Sequence, residues 1–519
     1  MTLLQRPLRA GFLWLEGVLD RVFGASWNPL YNLGALGFFY YWIVAVSGIY
    51  TYIFFDTGTT EAYDSIQYLT HEQWYLGGVM RSLHRYASDG MVLMMAVHML
   101  REFALDRYRG TRWCTWVTGV PVAMLTIAAG ITGYWLVWDR LAQYIAIATT
   151  EWLDFLPIFG EPIARNFLAA ELLDDRFFTL LTFIHIAVPL MLLGILWLHL
   201  QRVSRPRINP ARGLAVGTFV MMLGLSLAMP AVSQGPADLA TVPSVLQIDW
   251  FYLFAYPLMD VWSQGMVWAF GATVTLMLVL LPWMPAMRRA PAAQVDLANC
   301  NGCKRCADDC PYNAISMESR TDGLPFEQEA VVDPAVCVSC GICAGACPTS
   351  TPFRRATALI PGIDLPHRPL RDLRAEIEKA TAGLTGPSRV LLIGCDHGGQ
   401  LAGFTGKDRA AVSLPCTAAL PPSFIDYALS RNLADGIVIT GCREGNCHNR
   451  FGITWMTERL ARRRDPYLRQ RVAAERFLVA WGGTADRRRV AREIAAFQLR
   501  LAALPPTAPA RAKGEALNA

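Results

Sequence analysis

With 519 residues, 53% of them apolar, and a net charge of only +5, the chain is too long for one ordinary domain and too weakly basic for a nucleic-acid surface. Its thirteen cysteines fall in blocks of metal-ligand spacing, which argues against a disulfide scaffold and for a reducing compartment. No G-x-G-x-x-G and no Walker loop occurs, so no nucleotide or flavin site of its own is expected, and no Ser/His/Asp set or paired-carboxylate constellation is apparent.

Residues 1–30 read as an amphipathic cytoplasmic N-terminal helix lying on the membrane surface. Arg6 and Arg9 are basic, but Glu16, Asp20 and Arg21 interrupt any signal-peptide core, while Trp14, Leu15, Val18, Leu19, Val22 and Phe23 share one side. Six apolar spans follow within 31–285, near 32–54, 78–103, 114–137, 178–202, 213–231 and 264–284, each long enough to cross a bilayer. Arg101, Arg107, Arg109 and Arg112 lie between the second and third spans, and Arg202, Arg205, Arg207 and Arg212 between the fourth and fifth. The alternate loops are acidic, with Asp56, Glu61 and Asp64, then Glu151, Asp154, Glu161, Asp174 and Asp175. The positive-inside rule predicts a multi-pass protein of the inner (cytoplasmic) membrane with both termini cytoplasmic. Arg288 and Arg289 follow the last span on that side.

Of eight histidines, four lie in two spans: His84 and His98 on the second, His185 and His199 on the fourth, each pair fourteen residues apart. Fourteen residues are nearly four helical turns, so each pair shares one face, about 21 Å apart along the axis. The two spans run in the same direction, so His84 faces His185 and His98 faces His199. Two imidazoles facing across a bundle make a bis-histidine haem site. A lone membrane histidine is more often a hydrogen-bonded polar residue, which does not explain two matched pairs. Gly34 and Gly48 on the first span, and Gly119 and Gly133 on the third, repeat the interval of fourteen. Absent side chains there let a bulky planar ring approach the backbone.

His84-Arg85, Thr115-Trp116-Val117-Thr118-Gly119, Thr132-Gly133-Tyr134 and Trp138-Asp139 resemble cytochrome b of the quinol-oxidising bc complexes. That resemblance implies a b haem near the outer face on His84 and His185, another near the cytoplasmic face on His98 and His199, and a homodimer through the membrane domain. It continues through Gly235-Pro236-Ala237-Asp238 and Ile248-Asp249-Trp250-Phe251-Tyr252, where the family usually has Pro-Glu-Trp-Tyr at its outer quinol site. The implied quinone-site residues are Asp249 and Tyr134. Asp249 stands where a Glu is usual, Ile248 and Val137 where prolines are, and a solvated loop acid is the alternative for Asp249. Asn32 occupies the place where photosynthetic relatives attach an extra haem through Cys, so that haem is not expected. Cys114 reads as a small apolar residue.

Residues 286–299 read as a linker. Then come Cys300-x2-Cys303-x2-Cys306-x3-Cys310-Pro311 and Cys337-x2-Cys340-x2-Cys343-x3-Cys347-Pro348. This doubled motif is the ligand pattern of a bacterial-type ferredoxin with two [4Fe–4S] clusters, the fourth Cys of each run crossing to the other cluster. Cys300, Cys303, Cys306 and Cys347 then form one set, and Cys337, Cys340, Cys343 and Cys310 the other, within 300–350. Zinc knuckles would not need the closing x3-C-P.

After a connecting segment at 351–388, with a helix near 369–383, the pattern turns α/β over 389–503, and 504–519 read as a disordered tail. Strands are expected at Val390–Gly394, Ala411–Leu414 and Gly436–Thr440, and helices at 421–432, 453–463 and 485–503. Cys395, Cys416, Cys442 and Cys447 sit at or past strand ends, where α/β sheets place their sites. The run Gly441-Cys442-Arg443-Glu444-Gly445-Asn446-Cys447-His448 resembles the delta subunit of methyl-viologen-reducing hydrogenase, a small electron-transfer domain that holds a [2Fe–2S] cluster. This chain departs from that family at Gly398, where a second Cys is common. Four thiolates suffice for [2Fe–2S], and structural zinc is the alternative. Arg residues near 461–464 and 487–489 are either a steering patch for an acidic partner or a solvated helix face.

The expected fold is a six-transmembrane-helix dihaem bundle, then a small α+β two-cluster ferredoxin module, then an α/β iron–sulfur domain. The expected function is electron exchange between the quinone pool and a cytoplasmic redox partner, through two b haems, two [4Fe–4S] clusters and one [2Fe–2S] cluster. The resemblance implies a partner that is a flavoprotein of the heterodisulfide-reductase type, a dehydrogenase or a hydrogenase. In one reading the chain has its own quinone site and parts the two electrons of a quinol between two routes, although no Rieske-type cluster is encoded. In the other it is a non-catalytic membrane anchor and relay.

Overall fold

The computed structural model describes residues 3–158, 160–167, 173–201, 203–284, 290–354, 359–399 and 401–505. Arg202, Arg288, Arg289 and the expected tail from 506 onward lie outside the described residues. Two compact units are formed, one by Met1–Leu8 and Val22–Ala286, the other by Arg9–Arg21 and Met287–Ala519.

The first unit is helical, with α1 (Gln5–Trp27, whose middle groups with the second unit), α2 (Leu33–Ile53), α3 (Glu61–His71), α4 (Val79–Ala104) and α5 (Trp113–Val137). They are followed by α6 (Arg140–Asp154), α7 (Asp175–Gln201), α8 (Arg212–Ala228), α9 (Tyr256–Val261) and α10 (Gln264–Leu280). Among the described residues four helical stretches are long and apolar enough to cross a membrane: α2, α5 with the turn before it, α7, and α10 with the turn after it. The other two expected spans are helices of a different character. α4 carries Arg81, Arg85 and Asp89 in its N-terminal half, and α8 has only 17 residues. Side-chain charges, not helix breaking, separate α4 from its neighbours.

α2 packs along α4 and α5 along α7. Phe183, Leu190 and Trp197 on α7 stay exposed, as residues facing lipid tails would. Beyond α5 the chain reverses at Trp138, whose backbone is left-handed (φ 49°). Asp139 then caps α6, accepting from Ala142 N at 2.9 Å, and also accepts from Gln234 N at 2.9 Å. Arg140 N donates to Gly235 O at 3.0 Å and Ala237 N to Trp138 O at 3.2 Å. These bonds tie the Gly235–Ala237 loop to the α5–α6 junction and so fix the entry to the segment that carries Asp249.

In the second unit β1 (Gln294–Val295) leads to α11 (Arg305–Asp308), β2 (Ile315–Ser319), β3 (Gln328–Val332), α12 (Ile342–Ala346) and β4 (Ile363–Asp364). β1 pairs antiparallel with β4, and β2 with β3. The expected boundaries therefore move: 286–299 is not a bare linker and 351–388 not a bare connector, because one strand from each closes the cysteine-rich module. α13 (Leu370–Thr381) follows. β5 (Val390–Cys395), β6 (Arg409–Leu414), β7 (Gly436–Gly441) and β8 (Phe477–Trp481) form a parallel sheet in the order β6-β5-β7-β8. The helices of this layer are α14 (Ser423–Ser430), α15 (Gly452–Leu460) and α16 (Arg487–Ala502). β8 was not expected. Every residue of β5 and β7 is buried, as in a parallel sheet covered on both faces. Alternation divides them: Leu391, Ile393, Ile437 and Ile439 face a core shared with α14, and Val390, Leu392 and Val438 one shared with α16.

Candidate functional site

In the membrane unit each of the four histidines meets one of the four glycines. A methyl group at Gly48 would lie 2.8 Å from the His84 imidazole and one at Gly133 2.9 Å from that of His185. At Gly34 and Gly119 the distances to His98 and His199 are 3.9 Å and 3.6 Å. The space that the glycines leave is thus filled first by imidazole, a refinement of the expectation that it serves only a planar ring. The His84 and His185 ring centroids are 6.3 Å apart, and His98 is an electrostatic neighbour of His199. Two nitrogen–metal bonds of about 2 Å each would account for most of the 6.3 Å, the rest being the two half-rings.

Hydroxyl groups missed in the sequence orient these rings. Thr132 Oγ1 is 3.1 Å from His185 Nδ1 and Thr118 Oγ1 3.1 Å from His199 Nδ1. His84 Nδ1 is 2.9 Å from Val44 O and 3.4 Å from Ser47 Oγ. With Nδ1 engaged, Nε2 is left for a metal, the arrangement that fixes a ligand's tautomer. The signal was present: Ser47-Gly48, Thr118-Gly119 and Thr132-Gly133 each place a hydroxyl residue directly before the glycine. The donor set, its spacing and its oriented nitrogens fit haem.

Asp249 is no solvated loop acid. Its side chain is 5% exposed and ion-paired to Arg85 at 2.9 Å, and the Tyr134 hydroxyl donates to it. Arg85 also pairs with Asp89 one turn on, and its guanidinium lies 5.2 Å from the Tyr134 ring centroid. Tyr252 donates to Ser88 O at 3.0 Å. Arg85 and Asp89 were missed as site residues, although an Arg/Asp pair at i,i+4 inside an apolar bundle is itself a signal.

In the second unit the eight ferredoxin-type cysteines fall into the two expected groups. Cys306 has Cys347, Cys303 and Cys300 as charge neighbours, and burial above all pushes it up to about 12. Cys310, Cys337, Cys340 and Cys343 line one cavity, and burial pushes Cys340 up to about 12. In the α/β domain Cys395 Sγ and Cys442 Sγ are 3.5 Å apart. A methyl group at Gly452 would meet Cys416 Sγ at 2.4 Å and Cys447 Sγ at 3.4 Å. The hydrogen bond with Cys395 is the first cause that pushes Cys442 up to about 12. Thiols this reluctant to ionise become thiolates when a metal replaces the proton, and three sets of four suit iron–sulfur groups. Among the described residues no three His, Cys, Asp or Glu are set around a point that one ion could occupy. The departure at Gly398 has a steric cause, since a side chain there would collide with Gly441 O at 2.5 Å.

Two side-chain features beside these thiols were not foreseen. His397 and His448 stack, with ring centroids 3.5 Å apart. Glu16, read as an interruption of any signal-peptide core, is fully buried and accepts from Asn446 Nδ2 at 2.7 Å. Two arginines of the patch near 461–464 are bonded within the second unit: Arg462 donates to Leu468 O at 3.1 Å, and Arg464 to Asp309 Oδ1 at 2.7 Å. Arg489 pairs with Glu493 at 2.7 Å.

Three family models match the chain in succession. Cytochrome b/b6/petB matches residues 18–205, the 4Fe-4S dicluster domain 299–351, and the methyl-viologen-reducing hydrogenase delta subunit 400–505. The solved structure entitled Hyperthermophilic respiratory Complex III is similar over 49% of this chain and 75% of that one, at 19% identity and a TM-score of 0.41. The matched families follow the order in which the motifs occur, and they make this chain a membrane electron-transfer subunit with haem and iron–sulfur centres.

Proposed function

We propose that this subunit exchanges electrons between the quinone pool and a cytoplasmic redox partner. In this reading His84 with His185 and His98 with His199 hold two b haems. Cys300, Cys303, Cys306 and Cys347 hold one [4Fe–4S] cluster, and Cys310, Cys337, Cys340 and Cys343 the other. Cys395, Cys416, Cys442 and Cys447 hold a [2Fe–2S] cluster. All six apolar helices span the inner membrane, the His84 pair lies towards the outer face, and both termini and the iron–sulfur domains are cytoplasmic. The partner is a flavoprotein of the heterodisulfide-reductase type, a dehydrogenase or a hydrogenase, and the membrane domain forms a homodimer. A bound haem supplies one-electron transfer.

The observation that carries the quinone reading is adjacency. Arg85 follows His84 and Tyr134 follows Gly133, so the buried Asp249–Tyr134–Arg85 group adjoins one imidazole pair. Quinol oxidation must release protons where it releases electrons. Asp249 is the acceptor, Tyr134 donates a hydrogen bond to its carboxylate, and Arg85 pairs with it.

The test is an anaerobic titration of the purified protein with a soluble quinol, followed by haem absorbance. General-base assistance contributes about 10²–10⁴-fold, so Asp249→Asn is expected to slow haem reduction by about 10²-fold or more. An unchanged rate would show that Asp249 has no such role. One observation favours the anchor-and-relay reading: the Arg85 ion pair already occupies the carboxylate. That reading requires quinol to leave the haems oxidised while a low-potential reductant fills them.

A further inference from the structure

Asp309, beside Cys310, and Arg459, on α15, are 150 residues apart in the chain and form an ion pair in which Arg459 is fully buried and Asp309 5% exposed. Arg459 also donates to Ala418 O at 2.7 Å, two residues past Cys416, and to Ile342 O at 3.5 Å, one residue before Cys343. Its Nε–H has no acceptor among the described residues, and Cys416 is one of its charge neighbours. A second cation, Arg464, bonds Asp309 and stacks over Trp455 at 3.6 Å, while Trp455 Nε1 donates to Asp309 O at 3.1 Å. Arg464 also pairs with Glu458 at 3.1 Å, so its charge is shared between two carboxylates, while Arg459 is the fully buried cation of the joint.

The backbones meet closely here. A methyl group on Gly345 would strike Ala418 O at 2.1 Å, and one on Gly341, where φ is +75°, would strike Ala419 Cβ at 2.9 Å. Cys340 is a charge neighbour of Cys416. The cysteines grouped with Cys300 meet the α/β domain through a partly exposed pair, Arg305–Asp465 at 2.9 Å, and through Ser423 Oγ donating to Ser350 O at 3.3 Å, neither of them a fully buried charge, and Cys303 is exposed.

We propose that the set Cys310, Cys337, Cys340 and Cys343 is the one that exchanges electrons directly with the set Cys395, Cys416, Cys442 and Cys447, and that Arg459 is the positioning residue that joins them. One electron leaves one set and reduces the other, with no bond made or broken and no proton moved. Each reduction adds negative charge on one side of Arg459, and the buried cation stabilises the reduced form on both sides. A buried cation whose hydrogen bonds reach both sets also holds them at a fixed separation. This rests on the cluster assignments above but is independent of the quinone reading.

The test uses the full chain, purified anaerobically, assayed for iron and sulfide and reduced with dithionite, which bypasses any quinone site. EPR should show a spin–spin interaction between the [2Fe–2S] signal and one [4Fe–4S] signal. That interaction should survive Cys303→Ser and vanish in Cys337→Ser. Arg459→Met should weaken it and lower the potentials of these two centres by about 59 mV, a tenfold change in a one-electron equilibrium, leaving the third centre unmoved. Survival in Cys337→Ser with loss in Cys303→Ser would overturn the order. Equal shifts at all three centres would reduce Arg459 to a structural residue. If Arg459→Met does not retain iron, Arg459→Lys decides: potentials kept with a weaker interaction support the proposal, and wild-type behaviour in both overturns the positioning role. Wild-type protein fully loaded with iron but without spin interaction would overturn this proposal and leave the quinone reading intact.

Discussion

In the membrane unit each candidate haem ligand faces a missing side chain, whereas in the second unit the candidate cluster ligands lie against a neighbour's backbone and a buried ion pair. The first construction follows from helix geometry, which carries a sequence interval directly into space. The second depends on where distant loops cross. A substitution should therefore act through ring clearance in one unit and through charge pairing in the other.

The sharpest way to break that contrast is to fill the glycines. A side chain at Gly133 or Gly48 starts within 2.9 Å of an imidazole, while Gly34 and Gly119 leave 3.6 Å or more. If the chain binds the two haems proposed above, Gly133→Leu is expected to abolish one of them, halving the haem-to-protein ratio measured from the alkaline pyridine spectrum. Gly34→Ala should leave the ratio unchanged, because its new methyl group makes ordinary contact. If both variants load fully, the glycines only pack helices and the clearance argument fails.

The counterpart in the second unit is Asp309→Leu. It strands Arg459, which is fully buried, and an uncompensated buried charge costs about 3–5 kcal/mol. Guanidinium unfolding of the full chain, followed by visible cluster absorbance, should show a lower midpoint by that measure. A loss below about 1 kcal/mol, the range of an exposed pair, would mean that solvent reaches the joint.

How much could be read in the sequence follows the same division. His84, His98, His185, His199 and their glycines emerged from an interval of fourteen because a helix preserves intervals. The fourteen-residue spacing could not reveal that Arg85 and Asp89, one turn apart, close on Asp249, because the connection from α5 to that acid runs through the loop stapled by Asp139. In the second unit the cysteine motifs gave the thiol sets, and short apolar runs gave β5, β6 and β7. β8 escaped although Phe477-Leu478-Val479-Ala480-Trp481 is an uninterrupted apolar run. The strand pair β1–β4 escaped for another reason: two residues on each side carry no period to detect. The Asp309–Arg459 pair had no local signal at all. Arg462, Arg463 and Arg464 looked like a solvated run, and burial of part of that face is decided only by tertiary packing.

The N-terminal helix tests the boundary between these two kinds of reading. Its apolar side, with Trp14 and Val22 exposed, fits a surface helix. Its acidic residues have a separate use: Glu16 accepts from Asn446, and Arg443 donates to Leu13 O at 3.1 Å while pairing with Asp486 at 2.9 Å. Both partners lie in the loop between Cys442 and Cys447, so the helix steadies the segment that carries two candidate ligands. Glu16→Ala removes a hydrogen bond to a charged group, worth about 1.5–3 kcal/mol, and the lost restraint should fall on that loop. The expected outcome is faster alkylation of Cys442 and Cys447 in iron-depleted full-length protein, about tenfold for each 1.4 kcal/mol of local opening, with Cys303 unaffected. Glu16→Gln, which keeps an acceptor oxygen, should recover most of the protection. Equal acceleration at Cys303 would assign the effect to general unfolding, and no acceleration anywhere would leave the helix a membrane-surface element whose acid merely happens to be buried.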